Sequence, residues 1–219
     1  MQEKKGGFHY HRKRVWHFIW KDDSIWSWLA NIVIAFLLIR FIVYPILGVA
    51  LGSSYPIVAV VSESMEHGTS GSIICGQQFE TFPESFSSYW KTCGSWYEER
   101  GISQEQFRKS SFSNGFNKGD VIILWRAHPH NIKVGDVLVF QANKPQPIIH
   151  RVVRIWQENG LYYYQTKGDH NSNSIFSIGE DKIAEERVLG KGVLRIPYLG
   201  WMKILVVEAL QPFGINIVR

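Results

Sequence analysis

The sequence predicts a mainly β protein, a folded antiparallel barrel or pair of sheets, with one N-terminal transmembrane helix and one inserted helical segment. Three observations support this class: a long apolar stretch near the N-terminus, short β-branched runs bounded by turn residues after residue 118, and a helical spacing of aromatic residues between them. We expect a basic tail (1–24), a transmembrane helix (25–51) and a β domain (52–219) with a helical insertion at about 68–117.

The composition excludes several classes of protein. The 219 residues are 45% hydrophobic and 14% aromatic, which is too apolar for a disordered chain. Two cysteines are too few for a disulfide-dense scaffold or a four-cysteine zinc site. No repeat is visible, which argues against collagen and solenoids. The net charge of +5 leaves nucleic acid, a membrane surface or topology open until its position is known.

The apolar stretch 25–51 predicts a retained membrane anchor. As a helix, residues 26–46 span about 31 Å, close to the ~30 Å hydrocarbon core of a bilayer. The stretch is longer and bulkier than the apolar region of a cleaved signal peptide, and a buried core helix is the other alternative. Its only charge, Arg40, would snorkel or face a partner. Pro45, Gly48 and Gly52 predict a bend or an end of the helix.

The whole excess of positive charge lies before this helix. Residues 1–21 hold six bases and one acid, and the rest of the chain holds as many bases as acids. The positive-inside rule therefore places the tail in the cytoplasm and everything after about residue 52 outside. A neutral β domain also argues against nucleic-acid binding. Four tryptophans suit an interfacial belt at the near end of the helix: Trp16, Trp20, Trp26 and Trp28.

Short apolar runs predict the strands of the β domain. The sequences NKGDVIIL and KVGDVLVF repeat a turn-then-strand pattern, and such closely spaced strands favour antiparallel pairing over βαβ units. Residues 55–62 predict the first strand. The others are predicted at Val121–Trp125, Val137–Phe140, Ile148–Trp156, Leu161–Thr166 and Val188–Ile196.

The insertion predicts two helices. Gly101 can end the first helix, and the segment 103–106 fits a capping box for the second. We expect a helical hairpin packed on the β domain, and the alternative is a flap that binds the membrane interface or a partner. The first helix is predicted from residues that recur at spacings of four and three: Phe82, Phe86, Tyr89, Cys93 and Tyr97.

Two further features leave alternatives open. An oxidising exterior would permit a disulfide between Cys75 and Cys93, and two free buried thiols are the alternative. The last stretch, Ile196–Arg219, is interrupted by charges and a proline. We therefore expect an interfacial or barrel-packing segment there, with a second membrane span as the alternative.

Three polar motifs carry the chemistry: SESMEHG at 62–68, IIHRVV at 148–153 and TKGDHN at 166–171. A serine, a histidine and an aspartate on different elements can converge as nucleophile, base and orienting acid. Spacing alone is weak evidence, because a single strand histidine is usually structural and such serines and aspartates are common in turns.

In this order, the three motifs together with PIVAVV, NKGDVIIL, KVGDVLVF and GKGVLRIPYLGW resemble the type I signal peptidases of the archaeal and endoplasmic-reticulum branch. In that branch a histidine replaces the lysine of bacterial relatives. The resemblance covers about residues 25–66 and 118–202. It implies a signal-peptidase-like β fold and a membrane-anchored serine endopeptidase that removes N-terminal signal peptides from exported preproteins.

The resemblance also implies a role for each matched residue. Ser64 matches the nucleophile, His150 the general base, and Asp169 the first aspartate of the Gly-Asp-Asn motif. The hydroxyl of Ser62 would support the Ser64 backbone N–H in an oxyanion hole. No cofactor and no metal are implied.

Two departures from the family pattern concern the third member of the triad and its surroundings. His67 stands where proline is common, and Ile175 stands where members often carry a second aspartate. Asp169 is therefore the first candidate for the acid that orients His150, and Asp181 is the next.

The expected partners are signal-peptide-bearing preproteins, the lipid bilayer and the protein translocation machinery, with no nucleic acid. The expected location is the cell membrane or the endoplasmic-reticulum membrane, as a single-pass protein with a cytoplasmic N-terminus. The alternative is an inactive membrane-anchored β domain that acts as an accessory subunit. If His150 were not the base, Lys167 would be the nearest candidate for a Ser–Lys dyad.

Overall fold

The computed structural model describes residues 6–68, 73–82, 85–144, 146–202 and 204–205. The chain divides into two compact units, with the boundary between Ala50 and Leu51.

The N-terminal unit is helical. Helix α1 (Gly6–Trp20) is followed by α2 (Ile25–Leu38), a π-helical turn (Ile39–Val43) and α3 (Tyr44–Leu51). Residues 25–51 form one helix whose length and mean hydropathy of 2.6 would allow it to cross a membrane, which agrees with the predicted anchor.

Pro45 neither ends nor interrupts this long helix. A proline lacks the N–H that would bond to the carbonyl four residues earlier, and its ring crowds that carbonyl. The π turn at 39–43 lies directly before Pro45, where a change in hydrogen-bond spacing relieves this conflict. The helix ends at Leu51, and Gly52 follows with a φ of +62°, in the left-handed region that glycine tolerates.

The second unit is built on one antiparallel sheet, as predicted. Seven strands pair in the order β1-β4-β9-β5-β6-β7-β8, and a separate hairpin pairs β2 with β3. The strands are β1 (Ile57–Ala59), β2 (Ile73–Ile74), β3 (Gln77–Gln78), β4 (Val121–Trp125), β5 (Val137–Phe140), β6 (Ile148–Glu158), β7 (Leu161–Lys167), β8 (Ile183–Ala184) and β9 (Val188–Ile196).

The repeated turn-then-strand pattern has a common structural basis. Asp120 accepts a hydrogen bond from the backbone N–H of Asn117 at 2.8 Å, and Asp136 accepts one from Lys133 at 2.9 Å. In each turn the glycine before the aspartate has a strongly positive φ. The same Gly-Asp pair therefore starts both β4 and β5.

The insertion forms the predicted helical hairpin, but its first helix begins only at Phe86, after the N-cap Ser85, so Phe82 lies outside the helix, contrary to the prediction. Helix α4 spans Phe86–Glu98, and α5 spans Gln104–Arg108 with the predicted capping box between Ser103 and Gln106. The side chains of Tyr89, Trp90, Tyr97 and Phe107 form a buried cluster that includes Val153 of β6. This packing favours the hairpin interpretation over an open flap.

Val153 reaches this cluster because β6 is irregular at this point. The register between β6 and β7 shifts between Val152 and Arg154, so Val152 and Val153 enter two different buried clusters. A disulfide joins Cys75 to Cys93 of α4 and ties the β2–β3 hairpin to the helical insertion.

The segment predicted to be interfacial or barrel-packing, Ile196–Arg219, lies mostly outside the described residues, since 203 and 206–219 are not among them. Strand β9 ends at Ile196, as predicted.

Candidate active site

The hydroxyl of Ser64 lies in hydrogen-bond contact with His150. Ser64 is half-buried in the loop after β1, and its Oγ is 2.9 Å from Nε2 of His150. His150 is buried within β6, flanked by β5 and β7, so the sheet fixes its position. The structure therefore brings together the two residues that the sequence motifs select as nucleophile and base.

The hydroxyl of Ser62 lies beside that of Ser64. The two Oγ atoms are 3.1 Å apart, and Ser62 is exposed. A hydroxyl at this position can donate a hydrogen bond to charge that develops on an oxygen attached to a carbonyl carbon under attack by Ser64.

The carboxylate of Glu180 lies at the second ring nitrogen of His150, on the opposite edge of the imidazole from Ser64. Its Oε1 contacts Nδ1 of His150, and both side chains are buried. The hydroxyl of Thr166 donates to the same Oε1 at 3.0 Å, and the backbone N–H of Ile175 donates to Oε2 at 2.6 Å. Ser64, His150 and Glu180 thus form a continuous line of hydrogen-bonding groups, the arrangement that activates a serine for nucleophilic attack.

The structure does not place Asp169 or Asp181 where the sequence analysis expects the orienting acid. Asp181 is exposed, and the carboxylate of Asp169 is bound by other residues. Sequence reasoning missed Glu180, although it adjoins Asp181. The only signal in the sequence is the pair of consecutive acids at 180–181, of which Asp181, and not Glu180, is the predicted candidate.

Asp169 forms a buried ion pair with Arg151, and both side chains are almost completely buried. Arg151 donates to Asp169 from Nε at 2.8 Å and from Nη2 at 2.7 Å, a bidentate geometry. Burial alone would raise the pKa of the Asp169 carboxyl, but the charge of Arg151 and the hydrogen bonds from His67 and Arg151 outweigh burial and hold this pKa well below its usual range.

Arg151 also fastens the insertion to β6. Its guanidinium donates to the carbonyl oxygens of Ser111, Phe112 and Gly135 and to the hydroxyl of Ser110. Because Arg151 follows His150 directly on β6, this network holds the strand that carries the imidazole. The Asp169–Arg151 pair therefore supports the site without facing the reacting atoms.

Lys167 does not lie against Ser64. Its Nζ is buried and donates to the carbonyl oxygens of Gly168 and Asp169, at 3.0 and 3.2 Å. Burial lowers the pKa of Lys167 to about 8, although the charge of Asp169 opposes this shift. These contacts give no support to a Ser–Lys dyad.

The backbone at Gly168 approaches the site closely. A Cβ at this position would lie 2.7 Å from the backbone oxygen of Ser64 and 2.8 Å from Nε2 of His150. Only glycine fits between the Ser64 backbone and the His150 imidazole without displacing one of them. The next residues hold the nucleophile loop, because the backbone N–H of His170 donates to the Ser64 oxygen at 2.9 Å.

An open cavity of about 400 Å³ adjoins Ser64. It is bordered by the nucleophile loop, by Ile73 and Gly76 of the β2–β3 region, and by residues 170–172. A ligand in this cavity would contact Ser64, which forms part of its lining.

Over 45% of its length, the chain is similar in sequence to known proteins. No family model matches the chain. The chain is 33% identical over 103 residues to the signal peptidase complex catalytic subunit of Sclerotinia sclerotiorum, covering 45% of this chain and 60% of that protein. It is 37% identical over 105 residues to the same subunit of Lachancea thermotolerans, and 36% identical over 104 residues to that of Eremothecium gossypii. Each of these two matches covers 45% of this chain and 62% of the relative.

The chain thus spans about three fifths of the length of the curated relatives that it matches. These relatives are fungal, which agrees with the endoplasmic-reticulum side of the branch indicated by the sequence motifs. The resemblance drawn from the motifs is confirmed over the matched part of the chain: this part is similar in sequence to the catalytic subunits of signal peptidase complexes.

Proposed function

We propose that this protein is a membrane-anchored serine endopeptidase that removes N-terminal signal peptides from exported preproteins. The observation that carries the proposal is the 2.9 Å contact between Ser64 Oγ and His150 Nε2, formed by two motifs that resemble those of signal peptidases. The similarity to signal peptidase catalytic subunits supports the same reaction.

Ser64 would attack the carbonyl carbon of the scissile peptide bond. His150 takes the hydroxyl proton on Nε2, and Glu180 holds the opposite Nδ1–H and stabilises the imidazolium that forms. The imidazolium then protonates the departing amine, which leaves an ester on Ser64. A water molecule deprotonated by His150 hydrolyses this ester and restores the serine.

Two further groups serve the transition state in this proposal. The hydroxyl of Ser62 and the backbone N–H of Ser64 stabilise the negative charge on the carbonyl oxygen. Asp169 has a supporting role, because its carboxylate is committed to Arg151 and His67.

The proposed substrate is a preprotein that docks in an extended conformation and adds a strand to the edge of the site. Small side chains at the first and third positions before the cut suit the small-x-small pattern of signal peptides. We propose that the protein resides in the endoplasmic-reticulum or cell membrane, with a cytoplasmic N-terminus and with the translocation machinery or fellow subunits as partners.

The test is cleavage of a preprotein by the full chain in detergent micelles or liposomes. We expect the wild type to cut at one position after a small-x-small sequence, and Ser64→Ala and His150→Ala to lose cleavage. Activity should also decline on acidification, because a protonated His150 cannot accept the Ser64 proton. Full activity of Ser64→Ala would exclude the serine mechanism.

An inactive accessory domain predicts a different result. The wild type would then show no cleavage under any of these conditions, and Ser64→Ala would be indistinguishable from it. The aspartate missing at Ile175 favours this alternative, whereas the carboxylate of Glu180 beside His150 supports the active enzyme.

A further inference from the structure

His67 is buried inside the second unit, which carries the candidate active site. Its ring stacks on Tyr89 of α4, with centroids 3.6 Å apart and planes within 1°. A Cβ at Gly115 would lie 2.6 Å from the His67 ring, so the absence of a side chain there gives the imidazole its space. The surroundings thus fit a flat ring in one orientation.

One nitrogen of this ring has a specific partner. The Nε2 of His67 lies 2.8 Å from Oδ2 of Asp169, and both residues are buried. As Asp169 is ionised and accepts, Nε2 carries the proton and donates. Burial lowers the pKa of His67, and Asp169 only partly offsets this, so the ring is held in its neutral form.

The hydrogen bond between His67 and Asp169 is one step in a chain of side-chain contacts that links the Ser64 loop to the strand of His150. His67 lies three residues after Ser64 in the same loop, and Asp169 is bound to Arg151, which adjoins His150 on β6. The path therefore runs from the Ser64 loop to the strand of His150 by way of the buried ion pair.

Resting on the proposed function, we propose that His67 is a positioning residue that holds Ser64 Oγ within hydrogen-bond distance of His150 by donating from Nε2 to Asp169. His67 stands where a proline is common in the resembling family, and a proline could not donate this bond. Displacing a reacting group by about 1 Å can cost roughly 10²-fold in rate, so a single bond that fixes the loop has a large effect on turnover.

The test compares His67→Leu with His67→Gln in the full chain, in detergent, with a signal-peptide substrate. Leucine fills space without a donor, whereas the glutamine amide can reach Asp169 and donate. We expect His67→Leu to lose at least tenfold in kcat with KM within about twofold, because His67 does not line the cavity beside Ser64. We expect His67→Gln to keep kcat within about threefold.

Two controls separate positioning from other roles. His128→Leu, at an exposed histidine, should leave kcat unchanged. The acid limb of the pH–rate profile should survive in His67→Gln, because His150 supplies it. Loss of that limb would make His67 itself the base and would overturn the proposal, as would a His67→Leu enzyme with normal kcat or a His67→Gln enzyme as impaired as His67→Leu.

If His67→Leu does not fold, as judged by thermal unfolding, His67→Asn takes its place, because its shorter amide falls short of Asp169. Hydrogen exchange of residues 62–68 gives a readout that needs no activity. We expect faster exchange in the donor-free variant and wild-type exchange in His67→Gln. Unchanged exchange in both would overturn the inference, whereas the proposed function stands or falls separately on cleavage by the wild type and its loss in Ser64→Ala.

Discussion

Glu180 contacts Nδ1 of His150 from a loop outside the sheet, 30 positions further along the chain. A short 3₁₀ turn (Phe176–Ile178) and Gly179, with a φ of +71°, deliver it to this position. The backbone of Glu180 is fixed as well, because its carbonyl oxygen accepts from the N–H of Thr166 at 3.0 Å. Both the backbone and the carboxylate oxygens of Glu180 are therefore fixed by hydrogen bonds before any substrate binds.

Replacing Glu180 with Gln should reduce turnover far more than stability. The amide can keep the side chain in place, but it neither fixes the Nδ1–H tautomer nor stabilises an imidazolium. The equivalent aspartate-to-asparagine change in a serine-protease triad costs ~10⁴-fold in kcat. We expect a loss of about 10²- to 10⁴-fold in the cleavage assay.

The neighbouring Asp181→Asn provides the matched control, since Asp181 is exposed and should leave kcat within twofold. A Glu180→Gln enzyme with normal kcat would show that another group orients His150.

The strands could be predicted because their signals are local. The predicted bounds of β4, β5 and β9 agree with the structure. β4 and β5 are apolar runs that begin directly after Gly-Asp turns, and β9 ends directly before Pro197. The short strands β2 and β8 have only two residues each, and no periodicity can show at that length.

The partner of His150 could not be predicted because it depends on a long-range path. Asp169 belongs to a recognised motif, but Arg151 on the adjacent strand takes its carboxylate. Glu180 belongs to no motif and reaches the imidazole only after the loop at 168–179 has folded back. A local pattern therefore identifies the serine and the histidine, while tertiary structure selects the acid.

Asp169→Asn should destabilise the fold strongly. Breaking a buried ion pair leaves Arg151 uncompensated, at a cost of about 3–5 kcal/mol. Denaturant unfolding measures this change. Glu158→Gln is the control, because its pair with Lys182 lies on the surface and should leave the free energy of unfolding nearly unchanged.

The Asp169 carboxylate should also make the stability of the folded protein depend on pH in the acid range. The pKa of Asp169 is lower in the folded protein than in the unfolded chain, where an aspartate titrates near ~3.9. Its stabilisation is therefore fully present above that unfolded value and is lost as pH falls through the folded value. We expect the wild-type Tm to fall on acidification below about pH 5. Asp169→Asn should show a shallower decline, and parallel curves would contradict this assignment.

The buried Lys167 makes stability rise with pH as well, but in the alkaline range. Burial lowers its pKa to about 8, so between pH 8 and the unfolded value of ~10.4 the unfolded chain binds a proton that the folded protein has released. Stability from this group therefore increases as pH rises through this range. Below about pH 8, burial of the charged amine destabilises the folded protein by on the order of 3 kcal/mol. Replacing Lys167 with Met keeps the aliphatic stem and removes the amine, and should therefore remove this destabilisation.

The measurement is the difference in unfolding free energy between Lys167→Met and wild type at pH 7 and at pH 9.5. Lys182→Met is the control, because its Nζ is exposed and paired with Glu158 on the surface. A difference that is the same at both pH values would mean that Lys167 remains charged in the folded protein.

Gly168→Ala should reduce kcat by crowding Ser64 and His150, beyond any general effect on the backbone. The added methyl would lie 2.7 Å from the Ser64 carbonyl oxygen, 2.8 Å from His150 Nε2 and 2.6 Å from the Asn171 amide nitrogen. These separations are below any normal contact, so the loop or the imidazole must move, and either movement lengthens the Ser64–His150 hydrogen bond. We expect kcat to fall by about 10²-fold, the cost of roughly 1 Å of misplacement. Gly160→Ala, at an open turn with positive φ and no atom near the added methyl, controls for general backbone effects and should retain kcat even if it lowers Tm. Equal kcat losses in the two variants would show that backbone strain, and not crowding between Ser64 and His150, causes the defect.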